Sequence, residues 1–265
     1  MSNDVEILHK AGEYEIRTPP GFLNYQLLNI EYLGRICYQS YRGTPITTDT
    51  AAAFVRMLIA KGHESVLEHG YITVRFDKHS RGFTHELVRH RLCAFSQEST
   101  RYVDYELEKH KARVVCPPSH DPFEALEDYS GMNFEDMADV SVFHYKSLRD
   151  AGWPPEDARQ ILPIGTKSEI GVSANFREWR HIFTMRCDRF AHWEIRRTMV
   201  KLLSELKPML PGIFDDFVYG GKCKNGIDFY VRKMPFGKFK RQLTLLTDKE
   251  LNEIKEKLRE TEEGI

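Results

Sequence analysis

Residues 89–102 bring together side chains that are well suited to bind an anion. The segment opens on Arg89-His90-Arg91 and closes on Arg101-Tyr102. Guanidinium groups bind phosphate oxygens in pairs, and nearby hydroxyl and amide groups add further hydrogen bonds. The hydrogen-bonding residues between the two cationic groups are Ser96, Gln97, Glu98, Ser99 and Thr100. This composition predicts an anion site, and phosphate is the ligand that fits it best.

A helix is expected to carry the first part of this segment. Phe83, Leu87 and Val88 recur at helical spacing, which predicts a helix packed on the core. From Cys93 onward the helical pattern is lost, and hydroxyl and amide residues predict a loop. The anion site is therefore expected where a helix ends and a loop begins. For an isolated Arg-His-Arg the alternative is a solvated basic helix end, because cations are favourable near a helix C-terminus.

A second group of polar and cationic residues follows at 175–186. Arg177 and His181 are four residues apart and share one helical face. Arg186 lies nine residues after Arg177, about half a revolution away, so that one helix could serve two ligands or two chains. The other arginines of this region are expected to be solvated: Arg180, Arg189, Arg196 and Arg197.

Neither a metal site nor a protein nucleophile is indicated by the spacing. His85 and His90 are five residues apart, whereas a zinc-protease helix needs two histidines four apart, and Arg89 occupies that position instead. Cys93 lies near cations that could lower its pKa, but no other feature of a cysteine hydrolase surrounds it. Ser99 has no base beside it and no G-x-S-x-G context. A dinucleotide-binding glycine motif and a P-loop are also missing from the sequence.

The bulk composition limits the classes of partner. The 265-residue chain has a net charge of −1, which argues against a general affinity for nucleic acid or membranes. Its five cysteines are scattered, without a CxxC pair, which is typical of free thiols in a reducing compartment. With no apolar run near 18 residues and no secretory leader pattern, we expect a soluble cytoplasmic protein.

Hydrophobic periodicity and turn residues outline the elements. The segment 104–132 is polar and proline-bearing and is expected to run over the surface. A capping box at 247–250 predicts a charged C-terminal helix. Strands are predicted within 5–16, 71–76 and 165–174, and helices over 22–39, from about 48 to Gly62, and over 133–150, 155–162 and 176–206.

Four separated blocks make the chain resemble the flavin-dependent thymidylate synthases. The blocks are GHESVLEH (62–69), HELVRHRLCAFSQESTRY (85–102), EDARQILP (156–163) and ANFREWRHIFTMR (174–186), in the family's order. The resemblance implies a mixed α/β (α+β) domain over 1–219, with long helices and a small sheet, assembled as a homotetramer with FAD at the subunit junctions. Residues 220–265 are expected to be an extension whose role the resemblance does not give.

The resemblance also implies roles for individual residues. Arg186 would be catalytic, polarising the uracil ring and favouring loss of its N3 proton. The cofactor contacts would be His63, Ser65, Arg89, His90, Arg91, Gln97, Asn175, Phe176, Arg177 and His181. The nucleotide contacts would be Glu86, Leu87, Val88, Arg89, Gln97, Glu98, Ser99, Thr100, Arg101, Arg159 and Arg186. Gln97, Glu86 and His181 depart from residues found in other members, although hydrogen-bonding capacity is kept.

The activity implied is reductive methylation of deoxyuridylate. 5,10-Methylenetetrahydrofolate would donate the carbon, and NADPH would supply reducing equivalents through FAD. The alternative from another class is a non-catalytic nucleotide- or RNA-binding protein, with Phe95 and Tyr102 as stacking platforms beside the arginines. The net charge of −1 and the lack of a basic stripe argue against this alternative.

Overall fold

The computed structural model describes residues 5–9, 12–40, 43, 45–105, 111–118, 120–124 and 131–233, and it confirms the mixed α/β class. The helices are α1 (Pro20–Ile36), α2 (Thr48–Lys61), α3 (Arg81–Leu87), α4 (Phe134–Asp150), α5 (Pro155–Ala158), α6 (Phe176–Arg186) and α7 (Trp193–Met209). The strands are β1 (Val5–Leu8), β2 (Glu13–Ile16), β3 (Tyr71–Ser80), β4 (Ala94–Gln97), β5 (Ala112–Val115), β6 (Lys167–Asn175), β7 (Phe217–Lys222) and β8 (Asp228–Arg232). Two 3-10 turns span Ser65–His69 and Arg159–Ile161.

A four-stranded antiparallel sheet in the order β2-β3-β6-β4 forms the centre of the fold. Along β3, Ile72, Val74 and Phe76 are fully buried and alternate with more exposed residues, as the sequence pattern predicted. The β3–β6 register shifts between Phe76 and His79, and Lys78 has a φ of 56° there. Such a bulge inserts an extra residue and bends the strand. Here it lies directly before α3.

The main core lies between this sheet and helices α1, α2, α6 and α7. The predicted second helix is confirmed, because α2 begins at Thr48 behind a Thr47–Thr50 capping box. It ends before Gly62, whose φ of 75° suits a residue without a Cβ. Burial of one apolar face per helix holds the layer on the sheet.

A second, smaller core covers the other part of the fold. β1 and β5 pair in parallel. Val5 of β1 and Val114 of β5 form one buried cluster with Tyr145 of α4. The prediction of one strand within 5–16 is therefore wrong in detail: β1 and β2 belong to different sheets. The surface segment predicted over 104–132 contributes β5 to this second core.

Two local predictions after residue 90 are also corrected. The loop expected after Cys93 contains β4, which pairs with β6 as an edge strand. The single helix expected over 176–206 is two helices, α6 and α7. Between them the Asp188 side chain accepts a hydrogen bond from the Phe190 N–H at 2.9 Å, an Asx turn that redirects the chain.

Two arginines expected in solvent are buried. Arg180 is 0% exposed and Arg196 is 3% exposed, whereas Arg189 is exposed as predicted. Arg196 donates to the carbonyl oxygens of Arg189 and Ala191, both at 2.7 Å, and so stabilises the turn between α6 and α7. Arg180 belongs to an ion-pair network that is described below.

The described chain ends in an antiparallel β7–β8 hairpin that packs back on the main core through Tyr230. The boundary predicted after residue 219 lies inside β7, and the division into a domain and an extension stays a prediction. The charged helix predicted after 247 lies outside the described residues. Among the described helices, none is both long and apolar enough to cross a membrane.

Candidate active site

A cleft of about 930 Å³ is lined by four parts of the chain that are distant in sequence: the segments 62–71, 89–92 and 175–184, and Arg232 of β8. Helix caps fix the start of the helices beside it. The Ser80 hydroxyl accepts from the Phe83 N–H at 3.0 Å at the start of α3, and the Asn175 side chain accepts from the Glu178 N–H at 2.8 Å at the start of α6. Residues from the predicted cofactor set that line this cleft are Arg89, His90, Arg91, Asn175, Arg177 and His181.

The cleft presents unpaired positive charge. Arg89 and Arg91 are exposed, and within the described part of the chain neither guanidinium has a hydrogen-bond or ion-pair partner. Arg177 differs from them, because it pairs with Glu68 across the cleft wall. Two free guanidinium groups in one concave surface favour a ligand with phosphate oxygens. The cleft therefore fits a phosphate-bearing cofactor such as FAD.

Arg186 is held on three sides near this cleft. Its Nη1 donates to Glu86 Oε2 at 2.6 Å, and its Nη2 donates to the Glu86 carbonyl oxygen at 2.8 Å. Its Nε donates to His90 Nε2 at 3.0 Å. Because His90 accepts this hydrogen bond, its ring must be neutral, with the proton on Nδ1. The guanidinium is thus oriented before any ligand binds.

The electrostatics agree with a neutral His90. Burial, together with the charges of Arg186 and His181, lowers the pKa of His90 to about 4. His90 Nδ1 faces Glu178 Oε1 at 3.6 Å, and burial raises the pKa of Glu178 while His181 opposes that rise. The hydrogen-bonded arrangement of Arg186 therefore persists well below neutral pH.

His90, Glu178 and His181 also have ligand atoms within 4.8 Å of one another, the one such group found among the described residues. Arg186 already occupies His90 Nε2, and its positive charge disfavours a cation beside it. The sequence-based expectation of no bound metal stays a prediction.

A second pocket, of about 440 Å³, adjoins the same helix end. Val88 lines this pocket and the next residue, Arg89, lines the larger cleft, so that the end of α3 is a shared wall. Arg159 Nη1 donates to Thr100 Oγ1 at 2.9 Å. Gln97 Nε2 donates to Thr84 Oγ1 at 2.8 Å, which places Gln97 in this pocket and not in the cleft.

Arg81 lies in the second pocket and was not predicted from the sequence. It is the first residue of α3, and its Nη1 is buried without a hydrogen-bond partner among the described residues. A buried donor without a partner is costly unless a ligand satisfies it. A signal was present, because a cation at the first turn of a helix is unfavourable with the helix dipole.

Other predicted contacts have different surroundings, and their ligand contacts stay predictions. The Leu87 and Phe176 side chains are fully buried in the core. The Glu98 carboxylate accepts from Lys167 Nζ and from the Tyr105 hydroxyl, both at 3.1 Å. Arg101 pairs with Glu156 at 2.7 Å, and Ser99 Oγ accepts from the Arg101 N–H at 3.3 Å.

His63 and Ser65 lie in the segment that borders the cleft, on either side of Glu64. The exposed His63 ring is nearly parallel to Tyr38, with an interplanar angle of 10°, and its Nδ1 hydrogen-bonds to the Tyr38 hydroxyl. Ser65 is the first residue of the 3-10 turn. Tyr38 was not predicted, because it is 25 residues from its partner.

Cys93 is poorly suited to act as a nucleophile. Burial raises the pKa of its thiol to about 12, and the negative charge of Glu178 contributes to that rise. A thiol with such a pKa stays protonated at neutral pH, and thiolate is the reactive form. Cys93 is therefore not expected to supply a nucleophile to the site.

The fold and the site define an α/β protein with a cationic cleft for a large phosphate-bearing ligand and an adjoining pocket of nucleotide size. The sequence model of the family described as thymidylate synthase complementing protein matches residues 24–212. The chain belongs to this family, which confirms the resemblance read from its motifs.

Relatives and solved structures agree with this assignment. The flavin-dependent thymidylate synthase of Mycolicibacterium vanbaalenii is 38% identical over 204 residues, covering 71% of this chain and 78% of the relative. That of Mycobacterium avium is 36% identical over 205 residues, with coverage of 71% and 78%. The crystal structure of a UMP/dUMP methylase from Streptomyces cacaoi, bound with 5-Br dUMP, has a TM-score of 0.59 at 20% identity. The structural alignment covers 79% of this chain and 95% of the methylase chain. At 20% identity the similarity is one of fold.

Proposed function

We propose that this protein is a flavin-dependent thymidylate synthase that converts deoxyuridylate to thymidylate. The methylene carbon of 5,10-methylenetetrahydrofolate is transferred to C5 of the uracil, and NADPH and a proton are consumed as the methylene becomes a methyl group. Tetrahydrofolate and NADP⁺ leave as the other products. Support comes from the family membership, from the named relatives and from the geometry of the site.

The observation that carries the proposal is the shared wall at the end of α3. Val88 and Arg89 are consecutive residues that line different pockets, so a cofactor and a nucleotide can bind on either side of one turn. In the cleft, FAD would be held by its phosphates at Arg89 and Arg91 and by the polar side chains of Asn175, Arg177 and His181. When bound there, FAD would serve as a hydride carrier that NADPH reduces.

The second pocket has groups that would bind the phosphate of deoxyuridylate, and Arg186 would act on the uracil ring. Arg81 and Arg159 would bind its phosphate dianion, and Gln97 and Thr100 would supply further hydrogen bonds. Uracil C5 is a weak nucleophile, and a guanidinium beside the ring stabilises the anionic form as charge develops. Arg186 is suited to this task, because Glu86 and neutral His90 have already oriented it.

Assembly as a homotetramer, with FAD at subunit junctions, is part of the proposal. Two large side chains are exposed: Leu92, which lines the cleft, is 76% exposed, and Tyr102, which follows Thr100 of the second pocket by two residues, is 81% exposed. Large exposed side chains near two ligand pockets favour contact with another protein surface. We further propose a cytoplasmic location, where the reduced folate and NADPH are available and where five cysteines stay reduced.

The test is product formation by the purified protein. FAD, NADPH, methylenetetrahydrofolate and deoxyuridylate are supplied, and thymidylate is measured by chromatography. We expect thymidylate only when all four are present. Arg81→Met should raise the KM for deoxyuridylate roughly tenfold or more, as for a lost charge-assisted hydrogen bond, and should leave FAD affinity unchanged. Flavin binding without any thymidylate would contradict the proposed reaction.

A second candidate, RNA binding, rests on one observation. Tyr102 is 81% exposed, and the Arg101 guanidinium lies 5.7 Å from its ring centroid, a surface on which a base could stack. Fluorescence anisotropy with a labelled single-stranded RNA tests it directly. Micromolar binding that Tyr102→Ala abolishes, together with no flavin binding, would favour this candidate over the enzyme.

A further inference from the structure

The hairpin at the end of the described chain contributes to the cleft. The family match ends at residue 212, but Arg232, on β8, is one of the residues that line the cleft. Its backbone position is fixed by neighbours on both sides: the Tyr230 N–H donates to the Cys187 carbonyl at 2.9 Å, and the Lys233 N–H donates to the Asp216 carbonyl at 2.8 Å. These backbone hydrogen bonds therefore hold Arg232 in the cleft wall.

Arg232 belongs to a network of two guanidinium groups and two carboxylates. Its Nε donates to Asp216 Oδ2 at 2.9 Å, and its Nη2 donates to Glu64 Oε1. The buried Arg180 donates to both Asp216 oxygens at 2.7 Å and approaches Glu64 Oε2 at 3.4 Å. The charges balance within the network, which holds α6, the hairpin and the 62–71 segment together.

Glu64 depends on Arg232 more than on Arg180. Arg180 makes its short contacts with Asp216 and with the Ile213 carbonyl, and its contact with Glu64 is the longest of the set. If a neutral side chain replaced Arg232, Glu64 would keep, among the described residues, only Arg180, which lies 3.4 Å away and is shared with Asp216. The Glu64 carboxylate in the cleft wall would then carry negative charge that is only partly compensated.

Such a charge would oppose a polyanionic ligand. The cleft must attract phosphate groups to Arg89 and Arg91, and Glu64 lines the same cleft. Glu64 also stands between His63 and Ser65, two predicted flavin contacts. A second cleft carboxylate, Glu68, is neutralised in the same manner by Arg177.

We propose that Arg232 is a positioning residue of the FAD cleft, which neutralises and orients Glu64 and so gives the β7–β8 hairpin a role in cofactor binding. This inference rests on the proposed flavin-dependent function. It assigns a task to a strand that lies beyond the family match.

The test measures FAD affinity by quenching of flavin fluorescence in the full-length protein. Arg232→Met should raise the Kd for FAD roughly tenfold, because one compensating charge leaves the cleft wall. Arg56→Met is the matched control, since it removes a 2.6 Å ion pair with Asp215, next to Asp216, from a residue that does not line the cleft. Its Kd should equal that of the wild type.

The double variant Glu64→Gln/Arg232→Met separates neutralisation from other roles. Once Glu64 is neutral, the loss of Arg232 should matter little, and the Kd should return to within about twofold of the Glu64→Gln variant. Arg232→Lys keeps the charge and should bind FAD nearly as well as the wild type. This variant also tests the role of the charge if Arg232→Met folds poorly, because a large loss of FAD affinity in Arg232→Lys would contradict the inference. Thermal melts fix a working temperature at which every variant is folded.

Three results would overturn the inference. The first is an unchanged Kd for FAD in Arg232→Met. The second is a double variant that binds FAD as weakly as Arg232→Met. The third is a loss of FAD affinity in Arg56→Met equal to that in Arg232→Met. A wild-type protein that binds no FAD at any concentration would overturn the proposed function itself, and the inference with it. The two failures are therefore distinguishable.

Discussion

Four arginines in or near the cleft form two sets with opposite surroundings. Arg89 and Arg91 are exposed and have no partner among the described residues, whereas Arg180 and Arg186 have their donors engaged by carboxylates, carbonyls or an imidazole. The first set attracts an anionic ligand. In the empty protein these two positive charges repel each other, which is unfavourable for stability. The second set is part of the folded structure and is rigid before a ligand arrives.

This difference separates binding from preorganisation. A free guanidinium is satisfied only when its ligand is present, so its removal should affect affinity and leave the empty protein intact. An engaged guanidinium keeps other groups satisfied, so its removal should affect stability or the reaction rate. The following predictions test this separation, from the largest expected effect to the smallest.

The largest effect is expected from Arg180→Met. The Arg180 side chain is 1% exposed, and its loss leaves Asp216 with Arg232 alone and Glu64 less well compensated. Breaking a buried pair by removing one partner costs about 3–5 kcal/mol in the free energy of unfolding. Urea denaturation measures this cost, with Arg56→Met, an exposed pair worth less than about 1 kcal/mol, as the control. Equal losses in both variants would mean that the network is not a stabilising unit.

Arg186→Lys should reduce turnover without loss of flavin binding. Lysine keeps the charge but cannot reproduce the three donor directions toward Glu86 and His90. Removal of an oriented donor typically costs about 10²–10³ in kcat, roughly 3–4 kcal/mol. Thymidylate formation and flavin fluorescence give the two readouts, and the exposed Arg189→Lys is the control. A variant with unchanged kcat would show that the locked orientation is not used in the reaction.

Much of the fold could be predicted from the sequence because its signals are local. The caps of α2, the alternation along β3 and the spacing of Phe83 and Leu87 each involve residues within one element. The cleft residues Arg177 and His181 were recognised for the same reason, since four residues on a helix define one face.

The remaining features depend on contacts between distant residues. Arg180 could not be assigned to the core because Glu64 lies 116 residues away and Asp216 lies 36 residues away. Arg81 gains its significance from Arg159, which lines the same pocket from another segment. The break between α6 and α7 has no glycine or proline, and Asp188 was its one local signal.

His90 should make stability depend on pH over a defined range. Its pKa is about 4 in the folded protein, below its ordinary value of 6.5, because of burial and of the charges of Arg186 and His181. The unfolded chain therefore binds more protons than the folded protein between these values, and stability falls as pH drops from about 6.5 to about 4. Each unit of pKa difference corresponds to about 1.4 kcal/mol.

His90→Gln keeps a hydrogen-bond acceptor for Arg186 but cannot take up a proton in this range. Urea denaturation at pH 4.5 and pH 7 should show a smaller pH dependence in this variant than in the wild type. The exposed His144→Gln should behave like the wild type. If His90→Gln retained the full wild-type pH dependence, His90 would not be the neutral acceptor that holds Arg186.

Arg89→Met should have the smallest effect on the empty protein and defines the other side of the comparison. Because Arg89 has no partner within the described chain, its removal breaks no contact, and the free energy of unfolding should change by less than about 0.5 kcal/mol. FAD affinity should nevertheless fall roughly tenfold, since a phosphate loses a guanidinium. Melting curves with and without FAD measure both quantities in one experiment. A lower melting temperature without FAD would place Arg89 among the engaged arginines, and the division between free and locked guanidinium groups would no longer hold at the end of α3.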